Sequence, residues 1–522
     1  MSNKFANGRM FVLLFFIVYL VIGLFVFDDY GISWDEDVSR YTGSIALGHA
    51  VDSDVQYSDP FHGPTFEMLL AAIEKVFGLG DDNLREVYLM RHLVTFLMFY
   101  LGVWFFFILC RNRFHSWRIG LLGSSLLVLS PRIFAHSFYN SKDIVGLSLF
   151  IISIFTLLRF MEEKTFRRAL LHAFTSAFLI DVRIMGVIVP FFTVCLFVVE
   201  IILRKNKGEW PAAIKGFLFY MFFLVTLTIL FWPLLWKDPL VNFIEAFRLM
   251  ANFDSDLVLF NGEFISALAL PWYYVPLWIL ITTPLVYSVF FVAGCGVSLR
   301  SLVTSRWDFL RDRRDDALFV AWFFAPIFAV ILLGSTLYDG WRHMFFIYPA
   351  FILIAVKGIV AILDITKGRS SNSFYRAANI AVKVVITGTL MVSAWTIVEM
   401  HPYQNVYFNV LAGKNITDIK NNFELDYWGL SYREALEYIL KNDNRNTIKV
   451  CVANDAGLVN SYILPEKERK RLTFVKMLSE ADYFIDNYRW RKGGYPFLLN
   501  NEIYSVDVAG GKIAAIYDMS LQ

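Results

Sequence analysis

Cysteine is scarce in this chain and never clustered: Cys110, Cys195, Cys295 and Cys451 are its four. Three of them lie in or at the ends of apolar runs, where a lone cysteine acts as a small hydrophobe, so no disulfide framework is expected. CxxC, HExxH and Walker-type loops are absent, which removes the common zinc and nucleotide signatures. Charge is scarce as well. Asp, Glu, Lys and Arg make up 18% of the 522 residues, against roughly 25% in soluble domains. The net charge of +2 says little about partners. What fills the chain is apolar: 57% hydrophobic residues, 52 Phe and 14 Trp, with a mean hydropathy of +0.52. Many runs reach the ~18–20 apolar residues that span hydrocarbon, so the chain reads as a polytopic membrane protein.

Eleven spans are expected, at about 10–27, 90–110, 117–131, 142–160, 168–182, 184–203, 214–235, 272–295, 317–336, 343–363 and 377–399. The third and fifth are short. The first is read as a retained helix, because the DDYG that follows lacks a small-x-small cleavage pattern. Alternate loops carry the basic residues, among them Arg111, Arg113, Lys164, Arg167, Arg168 and the RDRRDD of 311–316. The positive-inside rule puts those loops and the N-terminus in the cytoplasm, as topology signals rather than nucleic-acid sites. The expected fold is therefore an all-α membrane region, 1–399, with a first outer loop at 28–89. A small extracytoplasmic α/β domain follows at 400–522. Within it SYREALEYILKN has helical periodicity. TIKVCVAN, ADYFIDNY and EIYSVDVAGGKIAAIYDM read as strands, the last a hairpin across Gly510-Gly511.

The outer loops hold an unusual polar set. GISWDED at 31–37 places Asp35, Glu36 and Asp37 just after the first span. At the bilayer centre three ionised acids would cost about 7–10 kcal/mol, so they belong at a mouth, in water or in a protein cavity. SPRIFAHSFYNSKD (130–143) adds Arg132, His136, Asn140, Lys142 and Asp143; DVR adds Asp181 and Arg183; LYDGWRH (337–343) adds Tyr338, Asp339, Arg342 and His343. A carboxylate can take the proton of an attacking hydroxyl. Cations, Arg above all through its planar fork, can hold a phosphate leaving group. Such a site at a membrane surface suits a lipid phosphate.

These motifs resemble those of the GT-C membrane glycosyltransferases, in particular a bacterial family 39-like branch akin to the protein O-mannosyltransferases and lipid A aminoarabinose transferases. The resemblance rests on Asp35-Glu36 after the first span, SPRIFAHSFYNSKDIV, LYDGWRHMFFIYPAF, and HPYQNVYFNVLAGKN followed by FELDYWGLSYREAL. It implies a multi-pass enzyme of the bacterial inner membrane that moves a sugar from a polyprenyl-phosphate donor to a glycan, lipid or protein acceptor, with inversion, on the extracytoplasmic face. By the same resemblance Asp35 is the general base, Glu36 its neighbour and Asp143 a second acid. Arg342, His343, Arg183, Lys142 and Arg132 bind the donor phosphate. His62, Trp34, Tyr338 and Asp339 line the pocket. No cofactor is called for and no nucleic acid; the acids could also serve a divalent metal, which some GT-C enzymes need and others do not, but none is indicated.

Plainer roles stand beside these. Asp143 can cap the helix it precedes, Lys142 and Arg132 can reach to headgroups, and Asp181 can pair with Arg183. Arg342 and His343 can be interfacial anchors, and HPYQNVYFN and ELDYWG can either contact an acceptor or fasten the last domain to the mouth. An arginine at an exposed mouth contributes little to folding, so loss of Arg342 is expected to cost donor use rather than stability. The rival reading is a transporter or flippase of an anionic or lipid-linked substrate. Its repeated halves are not visible, and the polar set lies on one face rather than at the midplane.

Overall fold

The structure, a computed structural model, describes the chain apart from residues 1, 53, 58, 60–62, 204–209, 252, 254–256, 313, 370, 493–494 and 522. The membrane region runs through α1 (Ser2–Val26), α2 (Trp34–Val51), α3 (Thr65–Val76), α4 (Leu84–Phe114), α5 (Trp117–Val128) and α6 (Pro131–Tyr139). It continues through α7 (Asp143–Glu162), α8 (Phe166–Ile180), α9 (Ile188–Leu203), α10 (Trp210–Phe231), α11 (Pro239–Ala251), α12 (Tyr274–Thr282) and α13 (Leu285–Asp312). The last three are α14 (Arg314–Leu333), α15 (Tyr348–Gly368) and α16 (Ser373–Glu399). Among the described residues nine helices are long and apolar enough to cross a membrane, and α5 with α6, bent by 72°, makes a tenth.

Each of the eleven expected spans falls on helix, and two of them, for separate physical reasons, are not long straight helices by themselves. The run at 117–131 ends at Leu129, and Pro131 restarts it as α6 in a new direction, since proline suits the first turn of a helix and is disfavoured in its interior. The fifth run is the 15-residue α8; at 1.5 Å per residue it reaches only about 22 Å of a ~30 Å core. The run at 272–295 is also not continuous. Pro284 forces Thr283 into extended backbone (φ −109°, ψ 143°), so α12 stops and α13 begins.

At one end of the bundle the segment between α1 and α4 folds into α2 and α3, packed together. Gly43 permits this: a Cβ there would lie 2.6 Å from the Glu67 carbonyl. At the opposite end the basic loops meet an acid. Asp316, out of RDRRDD, accepts from Arg113 (2.5 and 2.6 Å) and pairs with Lys357 (2.9 Å).

Residues 257–266 form a hairpin of β1 (Leu257–Phe260) and β2 (Glu263–Ser266) that periodicity did not reveal. Beyond residue 400 come the short α17 (Ile416–Lys420), α18 (Tyr432–Asn442), α19 (Ala456–Asn460) and α20 (Glu466–Arg469). They accompany β3 (Ile448–Val452), β4 (Leu472–Phe474), β5 (Tyr483–Asp486), β6 (Glu502–Val508) and β7 (Gly511–Asp518) in a sheet of order β4-β3-β5-β7-β6. The expected last hairpin is present. Its two-residue turn is Ala509-Gly510, both left-handed (φ 48° and 77°), the geometry that matches strand twist.

This C-terminal region is held to the membrane region by buried polar contacts. Asn460 clamps the Ile32 backbone through its N–H and C=O (both 2.9 Å), and Gln404 accepts from Tyr30 (3.1 Å). Asn409 donates to the Thr283 carbonyl (2.7 Å) at the α12–α13 break. HPYQNVYFN therefore fastens the two regions.

Candidate active site

Four consecutive residues, turned about 100° apart by the first turn of α2, point four ways. Glu36 turns inward: it accepts the Ser33 N–H (2.6 Å), one half of a capping box, and pairs with buried His92 (3.1 Å). Asp37 accepts from Tyr88 (2.8 Å). Trp34 lies under the Arg489 guanidinium, 4.9 Å from ring centroid to charge. Asp35 alone faces the mouth, its side chain 40% exposed. Glu36 thus fixes the helix start that aims Asp35.

Opposite it stands Arg342. LYDGWRH makes a tight turn because Asp339 and Gly340 both take left-handed backbone (φ 55° and 68°), which Asp tolerates and Gly prefers. Arg342 is 2% exposed and touches three carboxylates: Asp339 from Nε and Nη2 (3.1 and 2.9 Å), Asp143 from Nη1 (3.2 Å) and Asp35 from Nη2 (3.2 Å). Tyr338 and Trp428 flank its guanidinium at 5.0 and 4.8 Å. The premise that Arg342 sits at an exposed mouth is corrected here, because the turn folds back beneath α2. Asp143 does not cap α7. Its own N–H is capped by Asn140 (2.8 Å), which leaves its carboxylate free for Arg342 and Arg183. Arg183 pairs with Asp143, not with Asp181.

Two spaces border this cluster. One is a recess beside Asp35, bounded by Asn140, Ser141, Lys142, Arg342 and Trp428. The other is a cavity of about 160 Å³, partly open to solvent, among α7, α9, α11 and α14. Its polar end holds Asp143, Arg183, Tyr338 and His343. The rest is mostly apolar, including Phe150, Ile188, Phe247, Met250 and Leu333. On the cavity side two buried nitrogens lack partners among the described residues, Arg183 Nε and His343 Nδ1, and on the recess side stands the half-buried Lys142 ammonium. Burial pulls the Lys142 pKa down, and Asp35 and Glu67 only partly oppose it. Buried polar groups are nearly always paired, so Arg183 Nε and His343 Nδ1 mark room for a polar guest, and the nearby Lys142 charge favours an anion there. Among the described residues no group of three or more His, Cys, Asp or Glu could hold a metal ion; the centre of these carboxylates is a guanidinium.

Of the other expected site residues, Trp34, Tyr338 and Asp339 join the cluster. Arg132 does not: it donates to the Tyr407 carbonyl (2.9 Å) and packs on Phe408 and Trp278. His62 lies outside the described residues. The C-terminal region supplies side chains that sequence reading missed. Arg489, after β5, pairs with Asp339 (2.8 Å), and Trp428 of ELDYWG closes the recess. No local signal marks Arg489, whereas Trp428 belongs to ELDYWG, whose aromatic content points either to acceptor contact or to fastening.

Glu424 is buried behind Asp339 with Oε2 unpaired. Burial first and Asp339 second push its carboxyl up to about 8. A carboxyl raised in the folded state contributes stability that is full below its ordinary value near 4.5 and is lost as pH rises through about 8. Wild-type melting midpoints are therefore expected to fall between pH 5 and 9. Glu424→Gln should flatten that slope in the same thermal scans.

No family model matches the chain, and no curated protein does. Solved structures of similar fold exist. ArnT from Cupriavidus metallidurans, bound to undecaprenyl phosphate, is similar over 97% of this chain and 98% of its own, at 13% identity and a TM-score of 0.48. The arabinofuranosyltransferase AftD from Mycobacteria is similar over 98% of this chain and 41% of its own, at 11% identity and a TM-score of 0.43.

Proposed function

We propose that the protein is a membrane glycosyltransferase that takes its sugar from a polyprenyl-phosphate donor, with Asp35 as general base. One observation supports this: the part-exposed Asp35 carboxylate lies in a polar recess that adjoins an apolar-walled cavity, with Lys142, Arg183 and His343 offering nitrogens on the two sides of the boundary. On this reading the polyprenyl tail lies along Phe150, Ile188 and Phe247, and its phosphate meets Lys142, Arg183 and His343. The acceptor enters the recess and gives its hydroxyl proton to Asp35. Its oxygen attacks the anomeric carbon from the face opposite the phosphate, the carbon–oxygen bond to phosphate breaks, and the lipid keeps the phosphate. One displacement inverts the centre. The site then opens on the extracytoplasmic side of a bacterial inner membrane, with the basic loops and the N-terminus in the cytoplasm.

The test uses protein in nanodiscs with a set of undecaprenyl-phosphate sugars. Release of undecaprenyl phosphate is expected for at least one of them. No release from any, with lipid movement across vesicles instead, would favour the transporter. Binding of undecaprenyl phosphate alone isolates the anion contact. Lys142→Met removes one charge-assisted bond of about 1.5–3 kcal/mol and should raise Kd roughly tenfold or more; an unchanged Kd would remove Lys142 from the phosphate site.

A further inference from the structure

We propose that Arg489, from the C-terminal region, is a positioning residue for the reaction: through Asp339 it holds Arg342 where Arg342 can hold Asp35. The inference rests on the glycosyltransferase reading for its kinetic arm only. The chain of contacts is short. Arg489 Nη2 meets Asp339 Oδ1 (2.8 Å), and the other oxygen of the same carboxylate takes Nε and Nη2 of Arg342 (3.1 and 2.9 Å). Arg342 Nη2 then reaches Asp35 at 3.2 Å. Asp339 therefore divides its two oxygens between a cation from residues beyond 400 and one from the membrane region.

Arg489 is itself pinned. It donates to the Tyr427 carbonyl, and its guanidinium sits over the rings of Trp34 (4.9 Å) and Trp490 (5.2 Å). Trp34 is the residue before Asp35, so Arg489 touches the base's own helix turn as well as the acid that steers Arg342. Without Arg489, Asp339 Oδ1 loses its partner. The carboxylate is then free to swing into a two-oxygen fork with Arg342 and draw Nη2 away from Asp35. Arg489 touches neither the recess beside Asp35 nor the apolar cavity. A role in holding Arg342 therefore predicts slower chemistry with donor binding unchanged.

Four full-length proteins in nanodiscs form the test: wild type, Arg489→Ala, Asp339→Asn and the double variant. Arg489→Ala is expected to lower kcat about 30- to 100-fold, the scale of a misplacement near 1 Å, with donor KM and undecaprenyl-phosphate Kd within about twofold. On the Asp339→Asn background the same change should add less than about twofold, because the two act as one unit. Arg489→Lys, which keeps the charge but not the fork, should lie between. The proposal is overturned by equal losses on both backgrounds, by a loss confined to KM, or by kcat within twofold of wild type. Should Arg489→Ala fail to fold, the Lys variant carries the same comparison. Hydrogen exchange at residues 338–342 reads the contact without any substrate: faster exchange in Arg489→Ala is expected, and unchanged exchange overturns the proposal. If wild type cleaves no donor, the functional reading fails alone and the exchange result still decides this one.

Discussion

Asp35→Asn is expected to abolish sugar transfer, by about 10³-fold, within the range that general-base catalysis contributes. The substitution keeps the shape and the place of the side chain, and removes only its capacity to take a proton. Little else should change. The Asp35 side chain is 40% exposed, and its ion pair with Arg342 is one of that residue's three acidic contacts. A pair so open to solvent is worth at most about 1 kcal/mol. The melting midpoint and the undecaprenyl-phosphate Kd should therefore stay close to wild type while donor cleavage in the presence of acceptor disappears. Asp35→Asn protein that still transfers sugar at the normal rate would remove the base assignment, and Glu36 could not replace it, because both its oxygens are committed to Ser33 and His92.

How much of this was legible in the sequence depends on range. Apolar period and length found helix at every expected span, since those signals are local. They misjudged continuity where one residue acts, at Pro131 and Pro284, because hydropathy averages over a window that a single proline breaks. Motif order named Asp35, Asp143, Asp339 and Arg342, and the structure brings all four together. The division of labour inside WDED was not legible. It depends on which way a helix turn faces, and that is set by Ser33, His92 and Tyr88. Arg489 was invisible for a related reason: it lies 150 residues from Asp339, on a loop whose composition resembles any other. Arg132 shows the opposite error. It sits in the same motif as Asp143, yet α6 turns it toward Tyr407 and away from the cavity.

Loss of Arg342 is the second large effect, and there the structure reverses the expectation from sequence. Arg342→Ala should destabilise the protein as well as stop transfer. The guanidinium is buried and holds Asp339, Asp143 and Asp35 at once. Removing it leaves like charges gathered in a low-dielectric site, and breaking a buried ion network of this kind costs about 3–5 kcal/mol. Arg183 and Arg489 soften the loss for Asp143 and Asp339; Asp35 turns to water. Yield and melting midpoint should drop together in Arg342→Ala. If repulsion among the acids is the cause, adding Asp143→Asn and Asp339→Asn to that variant should restore a good part of the midpoint. Transfer should remain absent in the triple variant, because the contact that steadies Asp35 is still missing. Arg342→Lys keeps one charge without the fork and belongs between the two in stability. A melting midpoint unchanged by Arg342→Ala would instead mean that this arginine is a solvated anchor, and that the three carboxylates do not depend on it.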